Sequence, residues 1–236
     1  MPSVQFYDAV ITDILVQTST VRTFTFEMGK PIEFQAGQFV MSHLPRDGQI
    51  AKKPYSIASP PYITDKIQLC IKKVEGGFMS THFHNLKVGD PLKLQGPMGK
   101  FGIVEPIQRD LAFVATGTGI APLRAMIHDL YHRNKVNSIK IWCFLGVRYE
   151  DEILFCDEFK KLEQEHSNFQ FIPTISRPKN WPGEVGYVQE KVKKYIKDPR
   201  SVDIYACGLV DMIEATLRVL GEAGFPSEQL HYEKWT

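Results

Sequence analysis

Near residue 106 this 236-residue chain changes its hydrophobic period, so neither a single sheet nor an all-helical bundle accommodates both halves. Before that point apolar and polar residues alternate. In residues 20–27, TVRTFTFE, Val21, Thr23 and Thr25 alternate with Arg22, Phe24 and Phe26, and a period of two is the signature of a strand. Residues 38–43, 53–59, 66–74 and 91–95 read the same way, separated by Gly, Pro and Asp. Short strands punctuated at this spacing predict a closed antiparallel barrel, with a short helix over 80–86. After Glu105 and Pro106, apolar runs at 111–116, 139–147, 169–176, 202–207 and 229–235 alternate with helical stretches at 122–133, 152–166, 189–197 and 211–223. Apolar strands separated by helices predict a parallel sheet covered on both faces. The expected fold class is β + α/β, with domains at 1–106 and 107–236.

Composition removes several functions. Lys and Arg number 28 against 27 Asp and Glu, which argues against a nucleic-acid binder that works through bulk charge. No apolar run approaches the ~20 residues that cross a bilayer, so no membrane partner is expected. The cysteines, Cys70, Cys143, Cys156 and Cys207, form no Cys-x-x-Cys pair, and neither a zinc knuckle nor a cysteine-ligated iron–sulfur cluster is expected. Scattered thiols and the absence of a basic, apolar leader point to a cytoplasmic setting. No metal site is expected; His128 and His132, four apart on a helix, lack a carboxylate motif beside them.

Chemistry concentrates at glycine turns. Thr116-Gly117-Thr118-Gly119-Ile120-Ala121-Pro122 lies between a predicted strand and a predicted helix. Glycines admit close approach of a ligand, and the helix start offers free amides and a positive dipole end; Pro122 suits that first turn. The turn fits a dinucleotide pyrophosphate, or is a tight turn that uses glycine for geometry alone, since the full Gly-x-Gly-x-x-Gly fingerprint is absent. Cys207-Gly208-Leu209 ends another predicted parallel strand, and ligands bind beyond such ends. In the first half, Lys53-Pro54-Tyr55-Ser56 sets a cation, an aromatic ring and a hydroxyl along one strand. Gly76-Gly77-Phe78-Met79-Ser80-Thr81 places glycines before a helix start, a second candidate anion site. Each of these also reads as ordinary strand and turn.

Taken in order, Lys53-Pro54-Tyr55-Ser56-Ile57-Ala58-Ser59, Leu69-Cys70-Ile71-Lys72, Gly77-x-x-Ser80, Gly96-Pro97-x-Gly99, Thr116-Gly117-Thr118-Gly119-x-x-Pro122, Ser176-Arg177, Tyr187-Val188-Gln189, Cys207-Gly208-Leu209 and Glu233-Lys234-Trp235 resemble the ferredoxin–NADP reductase superfamily over nearly the whole chain. The resemblance implies a Greek-key FAD-binding barrel followed by a Rossmann-like NAD(P)-binding domain. It implies that Lys53, Pro54, Tyr55 and Ser56 hold FAD, with Tyr55 on the isoalloxazine and Ser56 near N5. Cys70, Ile71 and Lys72 would line the adenine side of the flavin, and Gly77, Met79, Ser80 and Thr81 its pyrophosphate and ribityl. Thr116, Gly117, Thr118, Gly119 and Pro122 would cradle the nicotinamide nucleotide, beside Gly208 and Leu209. Ser56, Cys207 and Glu233 would be the catalytic set, with Cys207 beside nicotinamide C4. Trp235 would cover the ring face that nicotinamide must reach, and so would move in turnover.

Two departures matter. The family usually has Arg where this chain has Lys53, which keeps the charge and loses the bidentate fork. Thr236 follows Trp235, so the aromatic is not the last residue. Ser176 and Arg177 match the family's 2′-phosphate clamp, with Tyr187 and Gln189 as the adenine platform; Val185 stands where NADPH users often carry a second cation. NADPH and NADH both stay open. The resemblance implies a FAD-dependent NAD(P)H oxidoreductase that passes electrons to a separate acceptor: ferredoxin, flavodoxin or an oxygenase component. Between residues 48 and 100, eight Lys face three acids, which fits a small acidic redox protein as partner. The alternatives are a reductase of free flavin and a non-catalytic redox-sensing or electron-transfer subunit.

Overall fold

The computed structural model describes residues 4–136 and 138–235. Thr236 therefore lies outside the described residues. The chain forms two compact units: the described residues up to Ile103 with Arg124–His132, and Val104–Leu123 with the described residues from Arg133 on.

The first unit is built on β1 (Gln5–Val16), β2 (Val21–Glu27), β3 (Phe39–Arg46), β4 (Gln49–Ser56), β5 (Lys66–Lys72) and β6 (Pro91–Met98), with α1 (Phe78–Asn85) between β5 and β6. They form one antiparallel sheet in the order β4-β3-β6-β1-β2-β5. The sheet curls until its edges meet at a bridge between Ile57 and Leu69, where the Ala58 N–H also donates to Gln68 O at 2.8 Å. Alternation fills the inside with Phe24 and Phe26 of β2, Ile67, Leu69 and Ile71 of β5, and Leu92 and Leu94 of β6. Phe83 of α1 plugs the same core, edge-on to Phe24 at 5.7 Å between ring centres. The curl seats α1 beside the strand that ends in Tyr55 and Ser56.

The second unit is a parallel sheet of β7 (Asp110–Thr116), β8 (Ile141–Val147), β9 (Phe169–Ile175), β10 (Glu184–Val185), β11 (Val202–Leu209) and β12 (Leu230–Trp235). Its helices are α3 (Cys156–Glu165), α4 (Val188–Tyr195), α5 (Val210–Glu222) and the first turn of α2 (Ile120–His132). The order is β10-β9-β8-β7-β11-β12. Successive strands add on one side of β7 until β10, and β11 then pairs with β7 on the other side. That reversal creates a crevice at the carboxyl ends of β7 and β11, the favoured ligand position in an open α/β sheet.

Some elements differ from expectation in extent. The helix expected over 152–166 is α only over Cys156–Glu165, because Phe155 is left-handed (φ 53°) and turns inward, buried beside Leu154. The helix expected from Pro122 begins at Ile120, after a 3₁₀ turn over Gly117–Gly119. The two-residue β10 carries no period of its own.

Candidate active site

In the first unit, the candidate residues lie at the end of β4. Tyr55 packs edge-on against Phe83 at 5.0 Å. Its hydroxyl is buried and has no hydrogen-bond partner among the described residues, and burial raises its pKa. Ser56 is half-buried and sits opposite Phe39 of β3, while Lys53 is exposed. Across the mouth, Ser80 organises the turn into α1. Its hydroxyl accepts from Val74 N–H at 3.0 Å and donates to Gly77 O at 3.2 Å. A Cβ on Gly77 would lie 2.7 Å from that oxygen, so a larger residue there would displace the Ser80 hydroxyl from the turn. No side chain caps α1, which leaves its first amides to a ligand or solvent. Met79 and Ile71 point into the barrel core, Thr81 is half-buried, and Lys72 is exposed. Cys70 lies on the opposite face of β5 from Ile71, its pKa raised to about 12 by burial against weaker opposing effects of the Thr23 hydroxyl and the Arg124 cation. Phe83, which touches both the flank of Tyr55 and the core, is a positioning residue that the linear reading passes over.

In the second unit, the candidate residues line the crevice between β7 and β11. Gly117 is left-handed (φ 51°) and Gly119 is buried. A Cβ on Gly119 would run into the Cys207 carbonyl, and one on Gly208 would lie 2.8 Å from Thr116 Oγ1. The two glycine turns are thus packed on each other, and the Thr116–Thr118 edge with exposed Leu209 rims the crevice. Pro122 occupies the third position of α2, where no intrahelical partner for its nitrogen exists. Cys207 is fully buried and sits beside Glu233 in register. Trp235 Nε1–H donates to Cys207 Sγ at 3.2 Å. Burial first, and the neighbouring Glu233 second, raise the thiol's pKa, so it is a neutral thiol. Burial also pushes the Glu233 carboxyl up to about 7, and its Oε2 is buried with no partner among the described residues.

Further along the strand ends, Ser176 donates from its hydroxyl to Val147 O at 3.3 Å, and the Arg177 N–H bonds Arg148 O at 2.8 Å. That bond places two exposed arginines on neighbouring strand ends. Arg148 went unread in the linear sequence; its signal was position, directly after an apolar parallel strand. Tyr187 is 69% exposed at the start of α4, with Gln189 half-buried behind it.

Residues 8–103 match the family model described as an oxidoreductase FAD-binding domain, and residues 113–218 the oxidoreductase NAD-binding domain. The chain is 31% identical to ferredoxin–NADP reductase B of Sorangium cellulosum (strain So ce56), over 97% of both proteins. The chain belongs to the ferredoxin–NADP reductase superfamily. It is also 31% identical, over 98% of its own length, to the reductase component of phenol 2-monooxygenase from Pseudomonas sp. (strain CF600), of which it spans 66%. A ferredoxin–NADP reductase structure from Neisseria gonorrhoeae with bound FAD and NADP has the same fold, with a TM-score of 0.82 over 99% of each chain at 22% identity.

The side chains of this superfamily member suit the cofactors its two domains are built for. A buried tyrosine hydroxyl without a partner costs roughly 1–3 kcal/mol unless something polar satisfies it; Tyr55 packs on α1 through Phe83, and no side chain caps the start of that helix, a position suited to an anion. FAD offers both a ribityl chain and a diphosphate. In the second unit, the glycine crevice and the exposed arginines of the strand ends match a dinucleotide in the same way.

Proposed function

We propose that this chain is a FAD-dependent NAD(P)H oxidoreductase that takes a hydride from nicotinamide and passes electrons to a separate acceptor. The observation that carries the reading is the pairing of a buried neutral thiol, Cys207, with a buried carboxyl oxygen, Glu233 Oε2, that has no partner among the described residues, next to the switch point of an NAD-binding sheet. When bound, FAD supplies a carrier that accepts two electrons together and releases them singly. Tyr55, Ser56 and Lys53 with Pro54 on β4, the Gly77–Thr81 turn, and Cys70, Ile71 and Lys72 of β5 would hold it, Ile71 through its main chain. Thr116, Gly117, Thr118, Gly119, Pro122, Gly208 and Leu209 would hold the nicotinamide nucleotide, with Ser176, Arg177, Tyr187 and Gln189 at its adenosine end.

Cys207 offers an uncharged, polarisable wall at the crevice, and Trp235 keeps water from its sulfur. Glu233 holds a proton at Oε2 up to about neutral pH and releases it as pH rises further. Arg148 beside Arg177 supplies the second cation that position 185 lacks, which favours NADPH. We place the division of labour at residue 106, with residues 1–106 for FAD and 107–236 for the nucleotide. The acceptor is a small acidic redox protein, ferredoxin or flavodoxin, or an oxygenase component of the kind named in the phenol 2-monooxygenase relative. The four free cysteines fit a cytoplasmic protein, and none of the described helices is long and apolar enough to cross a membrane.

The test is an anaerobic absorption titration of the purified protein with NADPH and with NADH. A flavin band that bleaches, faster with NADPH, is the expected result. In Cys207→Ala the band should bleach at least about tenfold more slowly with nucleotide still bound, a loss of about 1.4 kcal/mol in barrier terms. A band that no nucleotide bleaches would leave an electron-transfer or sensing subunit. Protein that purifies colourless and turns over added FAD would be a reductase of free flavin, the alternative that the missing bidentate fork at Lys53 leaves open.

A further inference from the structure

Glu184 gathers three side-chain donors of one helix, and the proposed function gives it no task. It lies on β10, in register with Thr174 of β9. Its side chain is 15% exposed. One oxygen accepts from Lys194 Nζ and, at 2.9 Å, from the Tyr195 hydroxyl; the other faces Lys191 Nζ at 3.1 Å. All three donors are on α4. Its main-chain carbonyl is held as well, by Trp181 Nε1–H at 3.1 Å. One residue thus clamps the strap 184–187 to the helix that follows.

The strap leads to two groups of the nucleotide site. The Gly186 N–H bonds Ile175 O at 2.9 Å, and Ser176 and Arg177 follow Ile175 directly. Gly186 is left-handed (φ 112°) and releases the chain into Tyr187, the first residue before α4. Tyr187 is 69% exposed and has no aromatic or cationic ring partner among the described residues, so its placement depends largely on the backbone of the strap. A flat ring on an unanchored strap would sample many orientations, and ordering it on binding would weaken affinity.

We propose that Glu184 is a positioning residue for the adenine end of the nucleotide: by pinning strap 184–187 to α4, it presents Tyr187 in a preformed arrangement. The inference rests on the functional reading above and deepens it, because it assigns the determinant of adenosine affinity to a residue that does not touch the ligand. It commits to a role common to NADH and NADPH, because the carboxylate is neutralised by α4 and aimed into it.

The test uses calorimetric titration of the full chain with AMP and with adenosine 2′,5′-bisphosphate, together with steady-state kinetics on both coenzymes. Tyr195→Phe removes one clamp bond without altering charge, and Glu184→Gln removes the charge that holds Lys191 and Lys194 while keeping a single acceptor oxygen. Glu184→Gln should weaken both adenylate ligands by about tenfold, the equivalent of about 1.4 kcal/mol, with a smaller loss in Tyr195→Phe. KM should rise for NADH and NADPH alike while kcat stays within about twofold, the pattern of lost uniform binding. In a Tyr187→Ala background, Glu184→Gln should add nothing further, since both act through one ring. Unchanged AMP affinity in both clamp variants would overturn the proposal. So would an effect confined to the 2′-phosphate ligand, which would make Glu184 a charge determinant, or a full effect in the Tyr187→Ala background. If Glu184→Gln does not fold, the Tyr195→Phe titration decides alone. A wild-type protein that binds AMP but is not reduced by either coenzyme would defeat the functional reading and leave the clamp standing.

Discussion

Glu233 is acidic in name and neutral in setting. Its pKa is raised by burial from 4.5 to about 7, which has a defined consequence for stability. Below pH 4.5 the carboxyl is protonated in both folded and unfolded chains and the raised pKa has no effect. As pH rises through that value the unfolded chain ionises first, so folding stability falls, and the loss is complete above about pH 7. Glu233→Gln should therefore melt with the wild type near pH 4 and above it at pH 8. A melting-temperature gap that does not widen between those limits would show that the carboxyl ionises freely. The pattern Glu-x-Trp is plain in the sequence, yet whether its carboxylate is solvated depends on what β11 lays beside it. Cys207 is similar: the sequence reads it equally well as a small core residue, and only the indole hydrogen bond and the register with Glu233 set it apart.

At the scale of elements, the two glycines of the 117–119 turn do different work. Gly117 is left-handed with open space around it, whereas Gly119 is pressed against the Cys207 carbonyl. Gly117→Ala should destabilise by about 1 kcal/mol, the ordinary price of a left-handed alanine. Gly119→Ala should destabilise by up to about 3 kcal/mol, because β7 and β11 must part to admit it. Urea unfolding of both variants checks this, and equal losses would show that the crevice is softer than the packing implies. Glycine content is visible in the sequence; which glycine faces a carbonyl is not, since the partner is some ninety residues downstream. The period-two text of β2 and the apolar run of β7 were legible for the opposite reason: each side chain's neighbours are set by its own strand. The short β10 and the break at Phe155 were not legible, because both are imposed by the sheet they pack on.

For the molecule as a whole, charge is the property that acts at a distance. The net charge is +1, but the eight lysines between residues 48 and 100 are all exposed, and only Lys93 has a salt-bridge partner among the described residues, Asp8 at 3.3 Å. An acidic acceptor of the kind proposed above would meet a basic surface on the FAD-binding unit, and its association should slow as salt shortens the reach of that field to about 8 Å at 0.15 M. Reduction of an acidic ferredoxin should thus fall severalfold between low and high ionic strength, while reduction of a neutral dye stays level. Equal salt dependence for both would assign the lysines to solvation alone. The formal charge hides this asymmetry; counting along the chain reveals it, and exposure of every one of these lysines makes it a surface.

By itself the sequence determined what depends on neighbours along the chain: strand and helix periods, the change of architecture near residue 106, the glycine turns, and the ordered motifs that tie it to one superfamily. The tertiary structure alone decided what depends on neighbours across the chain. It buried the Tyr55 hydroxyl and Glu233 Oε2 without partners among the described residues, bonded the Arg177 backbone to that of Arg148, and gathered Lys191, Lys194 and Tyr195 around Glu184. Burial, pKa and hydrogen-bond satisfaction are set by whatever atoms fill the few ångströms around a group, and in a sheet those atoms come from strands far away in sequence.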